Sequence, residues 1–337
     1  MHHNRTSHLQ TIAFLICLLS AWQNGQTHGS VSRDALSQID PLDGMVKEIL
    51  ASYDRVDLVC LGERHGSRQD SDLRLRLIRH PDFAAKVDVI VVEFANAMHQ
   101  ARLDRFIAGE NVPIEDVRWI WRDTGYRAWD SPIYEAFLTT VRDVNKTLPE
   151  DQRIRVIAGD VPTDWSQIKT WEDMPRVINR GSYPIGVIEE EVFDKGLKGL
   201  AIFGSGHCER WGIGFTPALE RNHPGRLFVI APTKDNDTKQ RLRNAVRLSD
   251  KPQLITIKDS PIAEHRAHDY LYSSDFTDQT KMVDVVDAMA YFGSSPDTRV
   301  SPDSAIDEEE EYARERKRRN KIIIDWANHS RNRGNDE

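Results

Sequence analysis

Two short segments of the chain have the same form and place a histidine where it could do chemistry. Gly62-Glu63-Arg64-His65 and Gly204-Ser205-Gly206-His207 each follow a run of apolar residues. An apolar run that ends in glycine and then histidine is typical of a buried strand that opens into a loop, where the imidazole can face a cleft. Because two separate strands deliver matched histidines, we expect both to belong to one pocket.

Acidic side chains accompany these histidines at the ends of apolar runs. The polar residues at these positions are Glu63 and His65 in the first segment, Glu93 at the end of Val-Ile-Val-Val-Glu, Asp160 after Ala-Gly, and His207 after Gly-Ser-Gly. Ligands of open α/β sheets bind at the carboxyl ends of the strands. We therefore expect these side chains to converge on one edge of the predicted sheet.

The pattern permits two kinds of chemistry, and the residues leave both open. Imidazole nitrogens and carboxylate oxygens are the usual ligands for zinc, manganese or iron in a hydrolytic site, where metal-bound water ionises near neutral pH. Without a metal, a histidine oriented by a carboxylate can act as a general base. We assign both the catalytic role and the metal-ligand role to the same four residues: His65, Glu63, Glu93 and His207.

Three further residues are candidates for binding the substrate or supporting the site. Arg64 and Arg210 lie beside the histidine motifs and could hold a substrate carboxylate or stabilise an oxyanion. Salt bridges to the acidic residues explain both arginines equally well. Asp160 is the third candidate, although Gly-Asp also forms turns and the carboxylate could cap the segment that follows.

Tryptophans are concentrated between the two histidine motifs. They are Trp119, Trp121, Trp129, Trp165 and Trp171. Such rings could supply an apolar wall for a bulky substrate or a haem face. Packing in the core is the alternative explanation.

Apolar runs of strand length alternate with segments of helical spacing along the chain. The predicted strands are Val56 to Leu61, Val87 to Phe94, Ile154 to Ala158, Leu200 to Phe203, Leu227 to Ala231, Leu254 to Ile257 and Val285 to Phe292. The predicted helices are Asp70 to Arg79, Ala97 to Ala108, Pro132 to Asn145 and Val187 to Lys195. Nearly continuous Val, Ile and Leu runs are typical of strands covered on both faces. We predict an α/β fold with a mostly parallel central sheet, helices on both faces, and the site at the C-terminal ends of the strands.

Composition and charge bound the organisation of the 337-residue chain. Its formal net charge of −8 argues against a nucleic-acid partner, because neutralising phosphates requires a basic face. We predict a single α/β domain over residues 31–293. Serines and prolines then indicate a linker, and a run of glutamates followed by arginines predicts a charged helical tail within residues 294–337.

The first thirty residues have the pattern of an export signal. Basic and histidine side chains precede the apolar segment Thr11 to Trp22, which is too short to span a bilayer comfortably. We predict a cleaved signal over residues 1–30, no stable transmembrane anchor, and a periplasmic or secreted protein; an uncleaved anchor is the alternative. Cys60 and Cys208 then remain, and they could form a disulfide in an oxidising compartment or be two small buried residues.

The motifs resemble the signature of a superfamily that joins erythromycin esterases, ChaN-like haem-uptake proteins and TIKI-type metalloproteases. The resemblance rests on Gly62-Glu63-Arg64-His65-Gly66, Glu93 and Gly204-Ser205-Gly206-His207, and it extends from about Val56 to Pro232. The spacing Glu63-Arg64-His65 is one residue shorter than in many erythromycin esterases and is closer to the ChaN and TIKI pattern. In this superfamily the two histidines and the acidic residues line the active or binding cleft, which maps onto Glu63, His65, Glu93 and His207.

These observations and the resemblance lead to two functional hypotheses. The first is an exported hydrolase that cleaves an ester or amide bond of a small-molecule or peptide substrate, with a divalent metal (Zn, Mn or Fe) among the four residues. The second is a ChaN-like haem-binding transport protein, in which the same cleft holds a porphyrin and breaks no bond. The oligomeric state does not follow from the sequence.

Overall fold

The computed structural model describes residues 40–333 except 125–126, 177–180, 213 and 273–275. The chain divides into two units after Asp40, and the sheet and its helices belong to the unit that begins at Pro41. The export signal predicted over residues 1–30 lies outside the described residues.

Strands and helices alternate through the described chain. The strands are β1 Leu58–Glu63, β2 Val89–Asn96, β3 Arg155–Asp160, β4 Gly199–Gly204, β5 Leu227–Pro232, β6 Gln253–Thr256 and β7 Ala288–Tyr291. The helices are α1 Asp43–Ser52, α2 Arg68–Ile78, α3 Phe83–Lys86, α4 Gln100–Ile107, α5 Ile114–Arg122, α6 Pro132–Asn145, α7 Tyr183–Ile188, α8 Ser205–Cys208, α9 Thr216–Asn222, α10 Asn236–Val246, α11 Met282–Val285 and α12 Glu310–Arg333. Every predicted strand has a counterpart among the observed seven.

The strands form one sheet in the order β3-β2-β4-β1-β5-β7-β6. All neighbouring pairs are parallel except β6 and β7, which are antiparallel. Alternate residues of each strand point to opposite faces, so Val59 and Leu61 of β1 join one apolar cluster and Leu58 and Cys60 join the other. The first cluster is covered by α1, α2 and α4 to α6, and the second by α7 and α9 to α11. The predicted α/β fold with helices on both faces is confirmed.

The last long helix, α12, packs against the body of the protein. Ile322 is buried in a small apolar cluster with Trp165 and Ile168, while Tyr312 donates a hydrogen bond of 2.8 Å to Asp130. The Arg319 guanidinium lies 2.8 Å from Asp123. Among the helices that the structure describes, none is long and apolar enough to cross a membrane.

Candidate functional site

The two histidine motifs lie at the C-terminal ends of neighbouring strands. β1 and β4 pair in parallel, and the register sets Glu63 opposite Gly204. β2, which carries Glu93, pairs with the other side of β4. His65 follows β1 in the loop to α2, and His207 lies in α8, the single helical turn that begins directly after β4. The fold therefore brings the four predicted residues to one edge of the sheet.

His65 and Glu63 form a hydrogen-bonded pair. The Nδ1 atom of His65 lies 2.9 Å from Oε1 of Glu63, and the Glu63 side chain is almost fully buried whereas His65 is 25% exposed. An ionised carboxylate only accepts hydrogen bonds, so the proton of the neutral imidazole is fixed on Nδ1. In this neutral form, Nε2 is the ring nitrogen that carries no proton.

The Glu63 carboxylate is held by two further side chains. Arg74, fully buried in α2, forms an ion pair with Oε2, and the Tyr134 hydroxyl in α6 donates a 2.9 Å hydrogen bond to Oε1. Burial opposes ionisation of Glu63, but the charge of Arg74 and the hydrogen bonds from His65 and Tyr134 outweigh it and hold the pKa of Glu63 below its usual range. Glu63 is therefore a carboxylate at neutral pH.

The same contacts change the pKa of His65 in the opposite direction. Burial alone would lower this pKa, but the hydrogen bond and charge of Glu63, together with the charge of Glu93, raise the pKa of His65 above its usual value of 6.5. The imidazolium is thus stabilised. A histidine with these neighbours readily accepts a proton.

Glu93 and His207 form a second pair beside the first. Oε1 of Glu93 lies 3.4 Å from Nε2 of His207, and Oε2 accepts a 2.6 Å hydrogen bond from the backbone N–H of Gly204. Both side chains are partly exposed, Glu93 by 20% and His207 by 31%. β4 lies between β2 and β1 in the sheet, so its residue Gly204 lies next to both pairs.

The approach of His65 to β4 requires a glycine at position 204. A Cβ atom built on Gly204 would lie 2.8 Å from Cε1 and 3.0 Å from Nε2 of His65, and 3.4 Å from Oε2 of Glu93. The His65 and Glu93 side chains therefore both lie next to the Cα of Gly204, where a Cβ atom would not fit. On its other side the His65 ring meets the edge of the Trp129 ring, with centroids 4.4 Å apart.

A disulfide joins β1 to α8. Cys60 and Cys208 are bonded, with their Cα atoms 5.7 Å apart, and both are fully buried. The alternative of two unbonded buried residues is therefore wrong. Because Cys208 follows His207 directly, the bond fixes the helical turn that carries the second histidine to the strand that carries the first motif.

The described residues do not show the predicted metal site. Over the described part of the chain, no three His, Cys, Asp or Glu side chains lie close enough together to hold one ion. The physical reason is the surroundings of Glu63, whose two oxygens face Arg74 and the Tyr134 and His65 donors. The set predicted to bind a metal, His65, His207, Glu63 and Glu93, is instead arranged as two His–Glu pairs.

The other three predicted residues lie outside these pairs. Arg64 is buried and binds Asp70 and Asp297 on the side of the loop that faces α2. Arg210 binds Asp287 at 2.6 Å and also contacts Glu220 of α9. Asp160 ends β3, where it lies in register with Asn96 and caps the N–H of the next residue.

Sequence reasoning missed Arg74 and Tyr134, the two residues that hold Glu63. Each left a signal in the helical periodicity. Arg74 shares the apolar face of α2 with Leu73 and Leu77, and Tyr134 shares that of α6 with Phe137. A polar side chain on an apolar helical face requires a buried partner, and Glu63 is that partner.

Residues 49–170 match the protein family described as haem-binding uptake, Tiki superfamily, ChaN. This range includes Glu63, His65 and Glu93. Over this part of the chain, the sequence is similar to that family. The predicted resemblance is thereby confirmed, while among curated protein sequences none matches this chain.

Similarity to solved structures covers more of the chain than the family match does. Erythromycin esterase EreC in its open conformation is 11% identical, with a TM-score of 0.52, and the match covers 74% of this chain and 95% of EreC. A Bacillus cereus protein (11% identity, TM-score 0.53) and a succinoglycan biosynthesis protein (11%, 0.52) each match over 76% of this chain and 92% of their own. At this identity the likeness shows the shared fold alone.

Proposed function

We propose that this protein is a hydrolase of ester or amide bonds in which His65 activates a water molecule as general base. The observation that carries the proposal is the Glu63–His65 pair, with its buried carboxylate, its proton fixed on Nδ1, and its Nε2 facing the border shared with Glu93. Such a carboxylate orients the imidazole and stabilises the imidazolium that forms during the reaction.

The proposed reaction uses this chain's own residues. His65 Nε2 takes a proton from water as the water oxygen bonds to the substrate carbonyl carbon, and the tetrahedral intermediate then loses its alkoxide or amine, which receives the proton from His65. The Glu93–His207 pair lies beside this position, and an N–H of the His207 imidazole donates a hydrogen bond to the developing oxyanion. The residues do not fit a resident metal, and no step is assigned to one.

Export remains part of the proposal. A buried disulfide persists in oxidising compartments such as the periplasm and the extracellular space. The Cys60–Cys208 bond therefore supports a protein that acts outside the reducing cytoplasm. Mass spectrometry of the mature N-terminus after secretion would test whether residues 1–30 are removed.

Replacement of the two site histidines tests the hydrolase. We expect His65→Ala to lower kcat/KM by about 10²- to 10⁴-fold, because the general base is lost, and His207→Ala to lower it as well. The assay is a panel of activated esters and amides, and the control is His268→Ala, an exposed histidine in the turn Ala267–Asp269. Full turnover in His65→Ala, with the fold intact, would refute the assignment of His65 as the general base.

The family description favours haem binding as the second candidate function. His65 is the less exposed of the two imidazoles, and its Nδ1 is already hydrogen-bonded to Glu63. His207 is the more exposed imidazole and is the residue that would reach a porphyrin, whose bound iron would supply a ligand-binding or transport role. Haemin titration distinguishes the candidates: a Soret band that His207→Ala removes supports a haem carrier, and no band supports the hydrolase.

A further inference from the structure

Residues 295–300, which we term the strap, cross the loop that carries His65. The backbone N–H of Val300 donates to the carbonyl of Gly66 at 2.8 Å, and the N–H of Arg68 donates to the carbonyl of Thr298 at 2.9 Å. Ser67 and Arg299 form an antiparallel bridge between these two hydrogen bonds. A segment in the predicted linker is therefore paired, residue by residue, with the chain just after the first histidine motif.

Ion pairs with buried arginine and lysine side chains hold the strap against the protein. Asp297 forms ion pairs with Arg64 and with Lys239, whose Nζ lies 2.6 Å from Oδ1. The Lys239 Nζ also donates to the carbonyl of Ser295 at 2.8 Å, and the Arg64 guanidinium also binds Asp70 at 3.0 Å. Arg64 and Lys239 are both buried, so each cation depends on these partners. Asp297 is the residue that joins them.

Side chains hold the strap at both ends. Gln69 in α2 donates to the carbonyl of Pro296 at 3.0 Å and accepts from the N–H of Thr298 at 3.0 Å. At the other end, the hydroxyl of Ser131 donates to the carbonyl of Val300 at 2.7 Å. The strap is thus fixed to α2 and to the residue that precedes α6, the helices that carry Arg74 and Tyr134.

The turn after His65 is the part of the site that the strap controls. Gly66 has a φ of +78°, a conformation that favours glycine, and its N–H donates to the Tyr134 hydroxyl at 3.1 Å. Its carbonyl accepts the hydrogen bond from Val300. Both polar groups of this peptide turn are therefore held, one by the helix that orients Glu63 and the other by the strap.

We propose that the strap positions His65 against Glu63, and that Asp297 is the positioning residue on which this depends. Asp297 touches neither histidine. It acts through Arg64, the residue that precedes His65, and through Lys239 at the first turn of α10. The general-base role of His65 belongs to the proposed function, but the positioning of its ring can be measured without any substrate.

The test compares Asp297→Asn with Asp303→Asn, a carboxylate three residues beyond the strap that caps the turn Ser304–Glu308. In the full-length protein, we expect Asp297→Asn to speed amide hydrogen exchange in residues 62–68 by at least about tenfold. We also expect it to weaken or shift the downfield NMR signal of the His65 Nδ1–H proton that the Glu63 hydrogen bond produces. Asp303→Asn should leave both readouts at their wild-type values.

A merely structural role predicts a different result. If Asp297→Asn lowers the melting temperature but leaves the His65 Nδ1–H signal and the exchange of residues 62–68 unchanged, the proposal is wrong. Should this variant not fold, Gln69→Ala, which removes the side-chain contacts to Pro296 and Thr298, is measured in the same way and with the same two outcomes.

The proposed function and this inference can fail separately. A protein in which His65→Ala keeps its full hydrolytic rate while Asp297→Asn loses the His65 signal would have a strap that positions a non-catalytic histidine. A protein in which His65→Ala is inactive while Asp297→Asn keeps the signal and the protection would have a catalytic histidine that needs no strap.

Discussion

At the scale of single residues, the protonation of His65 decides when the proposed reaction can run. The base must be neutral to accept a proton from water. Because Glu63 and Glu93 outweigh burial and raise the pKa of His65, the neutral form becomes dominant only above a pH higher than the usual 6.5. Hydrolysis should therefore increase with pH through this raised pKa and fall away on its acidic side.

Replacing Glu63 tests this origin of the pH dependence. In Glu63→Gln the imidazolium loses its partner charge, so we expect the acidic limb of the kcat/KM profile to move to lower pH and the plateau to fall by about 10²- to 10⁴-fold. The measurement is a pH–rate profile, with Glu110→Gln, an exposed carboxylate, as the control. An acidic limb that stays in place or moves to higher pH would contradict the assigned role of Glu63.

The residues of the site were only partly predictable from the sequence. His65, Glu63, Glu93 and His207 stand at strand ends, where position alone indicates a functional side chain, and whether they carry the reaction stays a prediction. The sequence shows which residue types could bind a metal, but it does not show which other side chains occupy their oxygens and nitrogens. Over the residues that it describes, the structure therefore does not show the metal site that the residue types suggested. The neighbour that matters most, Arg74, lies on a helix whose contacts depend on the tertiary structure.

At the scale of elements, α12 shows how a charged helix gains a fixed position. Its charged residues give it a polar surface, yet one row of side chains is buried against Trp165 and its neighbours. Ile322 is 5% exposed in this row, while Ile324, two residues further along the same helix, is 58% exposed. Packing of a few apolar residues, together with the Tyr312–Asp130 and Arg319–Asp123 contacts, therefore holds this element on the body.

The two isoleucines provide a matched pair of variants. We expect Ile322→Ala to lower the free energy of unfolding by about 2–5 kcal/mol, because it leaves a cavity in a packed cluster. Ile324→Ala should change the same quantity by less than about 0.5 kcal/mol, since its side chain is largely in water already. Urea denaturation of the full chain measures both, and equal effects would show that α12 is not docked as described.

Strands were predicted more accurately than the segments between them. Long Val, Ile and Leu runs predict the ends of β1 to β5 to within two residues, because burial on both faces leaves few alternatives. The run Val285 to Phe292 was predicted as one strand, but α11 ends at Val285 and β7 begins at Ala288. The carboxylate of Asp287, which binds Arg210 and the N–H of Val229, interrupts the run. Such a long-range contact has no local signal.

At the scale of the whole molecule, one covalent bond links the two halves of the site. Cys60 and Cys208 are 148 residues apart in sequence, and between them lie β2, β3, β4 and the helices that connect these strands. Cross-linking distant residues reduces the conformational freedom of the unfolded chain, and a long loop makes this effect large.

Removing the bond should therefore cost stability. We expect Cys60→Ala/Cys208→Ala to lower the free energy of unfolding by about 2–5 kcal/mol. Chemical denaturation of the variant is compared with that of the wild-type protein before and after reduction. Equal unfolding midpoints for the variant and the oxidised wild type would show that the disulfide does not form in the folded protein.

The strap affects the stage of synthesis at which the site around His65 can form. The chain emerges from the ribosome from its N-terminus, and domains generally fold as units once their parts are available. The His65 loop exchanges hydrogen bonds with Thr298 and Val300, more than two hundred residues later. The first histidine motif is thus among the earliest parts of the site to be synthesised and among the last to reach its final geometry, so that a nascent chain carries both histidines long before it carries a finished site.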